Sequence, residues 1–381
     1  MSGIYIHIPF CKQACSYCDF YFLTRQELRQ PFVDALLEEI RTYRDRPEAS
    51  ERVTTIYIGG GTPSLLSPQQ LESILGQLER VFAIEPKEVT LEMNPDDVTK
   101  PFLNSIQHLG ISRASMGIQS FHPDLLQFMH RAHDPEEARR ALNLIAETGF
   151  PDYTADLIYG NPGQTEDMLQ SDLDELLRYN PPHISAYSLT VEPRTRLGKQ
   201  VELGRIDPPD DEKVARHFDI VVQRTREAGL RQYEVSNYAL PGKEAVHNSS
   251  YWNHVNYLGF GPSAHSFWWN RGEDSAVRRM NRPNLKEYIE EPVSVQKREV
   301  MQLDELAEER LMLGLRTVSG VSLSNMRQKY GYQLTEAQKR WIERQQESGM
   351  VGCDNGRLWL TPQGLRIADL LTVDLLSKGP G

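Results

Sequence analysis

Over the first half of the chain, hydrophobic residues gather in short strand-like runs: "IYIHI" at 4–8, "TIYIGG" at 55–60, "EVTLEMN" at 88–94, "RASMGIQ" at 113–119, "YTADLIYG" at 153–160 and "HISAYSLT" at 183–190. Their length and β-branched or aromatic content predict six β-strands. Between most of them apolar positions recur at helical spacing, over Leu28–Arg46, Pro68–Phe82, Pro135–Glu147 and Glu166–Tyr179. Pro68 and Pro135 stand where helices start. Repeated βα units predict an α/β fold with a parallel sheet, and six of them suit an open, partial (βα)6 barrel. In such barrels ligands gather at the C-terminal ends of the strands.

Past residue 205 the rhythm changes. "GRIDPPDDEK" is a polar, proline-bearing loop, followed by a helix over Glu212–Gly229 and an aromatic, strand-rich segment at 247–269. From 303 the chain reads as helices at 303–315, 322–330 and 335–348. A hairpin follows, with its turn at Asp354-Asn355-Gly356. The expected domains are a barrel at 1–225, its elaboration at 226–300 and a mainly helical, winged-helix-like module at 301–381. That last module holds ten basic and ten acidic residues, so it lacks the positive footprint of a DNA reader. A structural or docking role is the better expectation.

Charge sharpens this reading. Across 381 residues, 42 Lys and Arg face 53 Asp and Glu, a net charge of −11, which disfavours nucleic acid as a partner. No stretch approaches the ~18 apolar residues of a membrane span, and "MSGIYIHIPF" lacks the pattern of a leader. A cytoplasmic protein is expected.

Three of the four cysteines, Cys11, Cys15 and Cys18, fall in one loop directly after the first strand. Buried structural cysteines are common singly, but three at C-x3-C-x2-C point to an inorganic centre. A structural zinc site needs four closed ligands. A 4Fe-4S cluster on three thiolates keeps one iron open for a further ligand. Cys353 is too distant in sequence to be the expected fourth ligand.

The motif, with Tyr17 before its last cysteine, resembles the radical S-adenosylmethionine (SAM) superfamily. "YIHIPFC", "GGGTPS", "EMNP", "MGIQSF" and "DLIYGNPGQT" further resemble the oxygen-independent coproporphyrinogen dehydrogenases and the related HemW family of haem chaperones. The resemblance implies a TIM-like partial barrel of radical SAM type. It also implies a cluster on Cys11, Cys15 and Cys18 whose open iron chelates SAM, with Tyr5, Tyr17, Gly60, Gly61, Thr62, Glu92, Gln119, Arg131 and Asp156 as SAM contacts. Glycines let backbone approach a ligand closely, and the Arg131 guanidinium matches a carboxylate. An electron donor such as a flavodoxin or ferredoxin is implied as partner.

Two features divide the dehydrogenase from the chaperone reading. The dehydrogenase pattern continues to a fourth cysteine, where this chain has Asp19 and Phe20, and carries an extension before its motif, where this chain has ten residues before Cys11. The segment at 247–269 holds His247, His254, His265 and three tryptophans. Its composition permits a porphyrin site, and equally an ordinary packed segment. "HNSSYW" matches the HNxxYW signature of the HemW family, which implies His247 as axial haem ligand, set by Asn248, Tyr251 and Trp252. His254 and His265 carry no assignment. The expectation is therefore a haem chaperone that holds cluster, SAM and haem and serves apo-haemoproteins. Coproporphyrinogen III oxidation is the alternative. Productive SAM cleavage and homodimerisation are left open.

Overall fold

Alternation along the first six strands sorts the chain into a greasy outside and a polar inside. In the computed structural model, which describes residues 1–379 except 271, 273 and 294 and the backbone alone of Gln296, these strands are β1 (Ser2–Ile8), β2 (Val53–Gly60), β3 (Ile84–Met93), β4 (Arg113–Gln119), β5 (Asp152–Tyr159) and β6 (His183–Ser188). They pair in chain order, all parallel. Ile4, Ile6, Ile8, Ile58 and Leu91 are fully buried. Helix Arg29–Arg41 brings Phe32, Leu36 and Ile40 to this core, and Pro68–Val81 brings Leu71, Ile74 and Leu78. Each such side chain contributes roughly 1.5–3 kcal/mol of burial.

The helices start where the sequence marks them. Ser67 and Gln70 form a reciprocal cap on Pro68–Val81, and Asp134 and Glu137 do the same for Pro135–Thr148. The first helix ends at Arg41, short of the expected Arg46, because Arg46 precedes Pro47 and is extended (φ −87°, ψ 150°). Two short helices, Lys100–His108 and Pro123–Phe128, complete the βα connections around β4.

Residues 226–300 extend the barrel sheet itself. On one side β6 is followed by β8 (Asn237–Ala239) and β7 (Arg231–Gln232). On the other, β9 (Asn256–Phe260) pairs parallel with β1 and leads to β10 (His265–Trp269), β11 (Ser275–Asn281) and β12 (Val295–Gln302), all antiparallel. The described residues thus form one open twelve-stranded sheet. The segment expected to be strand-rich begins instead with a helix, Val246–Trp252. Its "HNSSYW" carries no strand alternation, and the backbone N–H groups of Val246 and His247 donate to the Glu88 carboxylate.

The C-terminal module has helices Leu303–Leu315, Leu323–Tyr330 and Glu336–Glu347 and a small sheet. In it β15 (Arg357–Leu360) lies between β13 (Val321–Ser322) and β14 (Val351–Asp354). Asn355 and Gly356 both take positive φ (49° and 73°), the tight turn expected. The module meets the barrel where Arg310 donates to the Trp252 carbonyl (2.9 Å) and His254 bonds the Tyr330 hydroxyl (3.1 Å).

Candidate functional site

The inward positions of β1 to β6 read Tyr5 and Tyr57, then Thr90, Glu92, Arg113 and Ser115, then Thr154, Asp156, His183, Ser185 and Tyr187. Cross-strand partners such as Glu92 with Ser115 and Asp156 with Ser185 share that face. A barrel lined this way is a binding chamber rather than a packed core. A cavity of about 570 Å³ opens among these residues and reaches Cys11, Cys15 and Cys18 at its top.

The cysteine loop is tethered at both ends. Cys11 N–H donates to Leu23 O (2.9 Å), Ser16 N–H to Met129 O (3.0 Å), and Leu197 N–H to Ser16 O (2.8 Å). All three cysteines are half-buried and free of disulfides. Among the described residues no three His, Cys, Asp or Glu groups are gathered around a point that would hold a single metal ion. A cluster takes one thiolate per iron, so three sulfurs along one cavity wall fit it better than they fit zinc. Burial pushes the Cys11 thiol up to about 12 and the Cys18 thiol up to about 11. Any metal these thiols held would therefore have to displace protons. Cys353 stands apart, on β14 of the C-terminal module.

Beside the thiols, a Cβ on Gly61 would sit 2.6 Å from Phe10 O and 3.0 Å from Cys11 Sγ. Gly60 takes φ +109°, outside the range of other residues. Glu92 is held by the Tyr57 hydroxyl (2.6 Å) and the Gly60 N–H (2.9 Å). Arg131 spans the chamber, donating to Asn94 Oδ1 (2.7 Å), Gly117 O (3.0 Å), Cys15 Sγ (3.4 Å) and the Tyr17 hydroxyl (3.4 Å). Gln119 closes β4 in the left-handed region, at φ +67°. Such strain is concentrated where a ligand repays it.

Four buried polar atoms around this chamber have no hydrogen-bond partner: Thr90 Oγ1, Gln119 Oε1, Arg131 Nε and His183 Nδ1. Native proteins rarely leave such atoms bare, and these suit a polar amino-acid-bearing ligand. Eight of the nine expected SAM contacts line this one cavity. Tyr5 does not; it lines a neighbouring cavity and bonds His7 Nδ1 (3.1 Å). Sequence reasoning missed Asn94 and Tyr57, which hold Arg131 and Glu92. Asn94 stood inside the quoted "EMNP" and Tyr57 on the inward face of "TIYIGG".

The haem-signature residues are dispersed. His247 is 1% exposed, and both ring nitrogens are engaged, Nδ1 with Thr55 Oγ1 (2.9 Å) and Nε2 with the Tyr251 hydroxyl (2.8 Å). Its ring stacks on Tyr57 at 5.2 Å. Axial ligation by His247 would require one of these bonds to open. Asn248 lines the cysteine-bearing chamber and Tyr251 the neighbouring cavity. Trp252 Nε1 is buried without a partner.

Comparison with known proteins adds the family. The radical SAM superfamily profile matches residues 5–176, and that of the HemN C-terminal domain matches residues 301–367. The chain is 34% identical over 373 residues to the "Heme chaperone HemW" of Bacillus subtilis, covering 96% of each protein. It is 38% identical over 266 residues to the HemW of Escherichia coli, covering 69% of each. The solved coproporphyrinogen III oxidase (HemN) of Escherichia coli superimposes with a TM-score of 0.83, over 98% of this chain and 89% of that one, at 21% identity. That likeness concerns the fold.

Proposed function

The chain belongs to the radical SAM superfamily and, within it, to the HemW family, and from that premise we propose that it is a haem chaperone that binds haem and delivers it to haem-requiring client proteins. The carrying observation is kinship to HemW over 96% of both chains, with Asp19 and Phe20 where a dehydrogenase would continue its cysteine motif. Cys11, Cys15 and Cys18 hold the 4Fe-4S cluster. Tyr17, Gly60, Gly61, Thr62, Glu92, Gln119, Arg131 and Asp156 surround SAM, and Tyr5 acts from next door. When bound, the cluster supplies an electron that can open the sulfonium of SAM. The chain's own part is to orient and shield. Arg131 and Asn94 fix the roof of the chamber, Tyr57 and Gly60 fix the Glu92 carboxylate, and the half-buried loop limits water.

A flavodoxin or ferredoxin would reduce the cluster, and the setting is the cytoplasm. No helix among the described residues is long and apolar enough to cross a membrane. The "HNSSYW" helix stands between the two cavities, with Asn248 facing the cluster chamber and Tyr251 the neighbouring one, and it serves haem through Tyr251 while His247 and Trp252 anchor it. The test is anaerobic: titrate haem into the cluster-loaded protein and follow its transfer to an apo-haemoprotein. Saturable binding near one haem per chain, followed by transfer, supports the reading. Conversion of coproporphyrinogen III without haem transfer overturns it in favour of the oxidase.

A further inference from the structure

Beyond the cluster chamber, on the other side of the Asp19–Phe20 segment, lies a second cavity of about 610 Å³. Asp19 and Phe20 line both cavities. The segment that directly follows the last cluster cysteine is therefore their common wall. The size falls within the about 300–1,000 Å³ of small-molecule sites, and the lining is aromatic: Tyr5, Tyr251 and Tyr257, with Tyr251 and Tyr257 meeting edge to face at 4.6 Å. Phe20 is 68% exposed at the wall, apolar surface that a flat ligand would cover.

One lining residue stands out chemically. His265, the first residue of β10, is exposed, and its ring makes no hydrogen bond or ion pair among the described residues. Most other histidines of the chain are bonded through at least one ring nitrogen, among them His7, His122, His133, His183, His247 and His254. Partial burial and the charges of Arg278 and Lys297 hold its pKa below the ordinary value, which favours the neutral, ligating imidazole. Met280 faces His265 directly across the antiparallel ladder. Arg194, exposed and without a hydrogen-bond or ion-pair partner among the described residues, stands at the rim.

We infer that this second cavity holds the porphyrin, with a ring nitrogen of His265 binding the iron, tyrosines covering the macrocycle and Arg194 pairing with a propionate. The inference rests on the haem-chaperone reading and supplies its site. Cross-strand partners stand side by side on one face of a sheet, so Met280 would add apolar cover beside His265 rather than a second iron ligand. Tyr251 ties this cavity to the HNxxYW helix: its hydroxyl holds His247 while its ring lines the haem side.

The test compares the cluster-loaded wild type with His265→Gly and Arg194→Ala under anaerobic haem titration, with Soret, ferrous-carbonyl and EPR spectra. His265 makes no side-chain hydrogen bond or ion pair among the described residues, and retained cluster absorbance confirms folding. His265→Gly should weaken haem binding by roughly tenfold or more and lose the imidazole signature, which added imidazole restores. Arg194→Ala should weaken binding about threefold without changing the spectrum. If His265→Gly binds haem with wild-type affinity and spectrum, the site assignment falls and the chaperone reading stands. If the wild type itself binds no haem saturably, both fall together.

Discussion

Glu88 and Glu92 stand four residues apart on β3, with side chains on the same face, yet they live in opposite electrostatic worlds. Glu88 and Arg113 are each 4% exposed, and every demand is met. Arg113 gives Nε to Glu88 (2.9 Å), Nη1 to Thr154 (3.3 Å) and Nη2 to the Lys243 carbonyl (2.9 Å), while Glu88 also accepts the N–H groups of Val246 and His247 (3.0 and 2.9 Å). Four residues on, Glu92 has two donors, and the chamber it lines holds the bare atoms of Thr90, Gln119, Arg131 and His183. The Glu88–Arg113 pair is complete, whereas the chamber that Glu92 lines is not. Charge and burial alone do not separate structure from function here; completeness of hydrogen bonding does. By that criterion His247 belongs with the complete pair.

The largest break falls on the chamber. Cys15→Ala should reduce iron and sulfide content after reconstitution to background, while the melting temperature of the metal-free protein moves by no more than about 2 °C; a large fall in stability would mean the loop is structural. In the complete pair, Glu88→Ala leaves Arg113 as an uncompensated buried charge. It should cost about 3–5 kcal/mol in urea unfolding, and a variant as stable as wild type would contradict the closed-network reading. Arg131→Lys keeps the charge and loses the fork, so SAM affinity by calorimetry should drop roughly tenfold with cluster content unchanged.

The smallest effect is a pH dependence. Burial, then the nearby Glu92 charge, raises the Asp156 pKa to about 7, above the usual value of about 3.9 for an unfolded chain. Folding therefore favours its protonated form. That stabilisation is complete below pH ~4 and lost as pH rises through 7. Asp156→Asn should flatten the ligand-free stability profile between those limits, read by urea titrations at several pH values. An unchanged slope would assign the dependence to other buried carboxyls such as Glu39, also raised to about 7.

Much of this was legible in the chain. Period-two runs and proline-marked helix starts are local signals, and they placed six parallel strands and most helices between them. The cysteine spacing and the glycines after β2 are likewise local, because one loop and one strand end carry them. What escaped is what only tertiary assembly creates. "HNSSYW" places Tyr251 one helical turn from His247, but nothing local says that the distant Thr55 will occupy the other ring nitrogen. The His265 cavity gathers residues 5, 19–21, 194, 251–265 and 280, too scattered for periodicity to reveal. His265 and His254 are alike in sequence, yet one is exposed and unbonded while the other is buried against Tyr330.

The pairing of β1 with β9 has a consequence in time. Ser2 lies opposite Asn256, so on a ribosome making about 5–20 residues per second, β1 exists for roughly 12–50 s before its second neighbour emerges. The cysteine loop itself waits for Met129 and Leu197, which tether Ser16, so alkylation of the thiols pulsed during synthesis should fall as residue 197 leaves the tunnel; protection before residue 129 emerges would exclude this order of events. The cysteine loop at the end of β1 is thus made well before the segments that hold it, which gives a newborn chain an interval in which iron could be loaded.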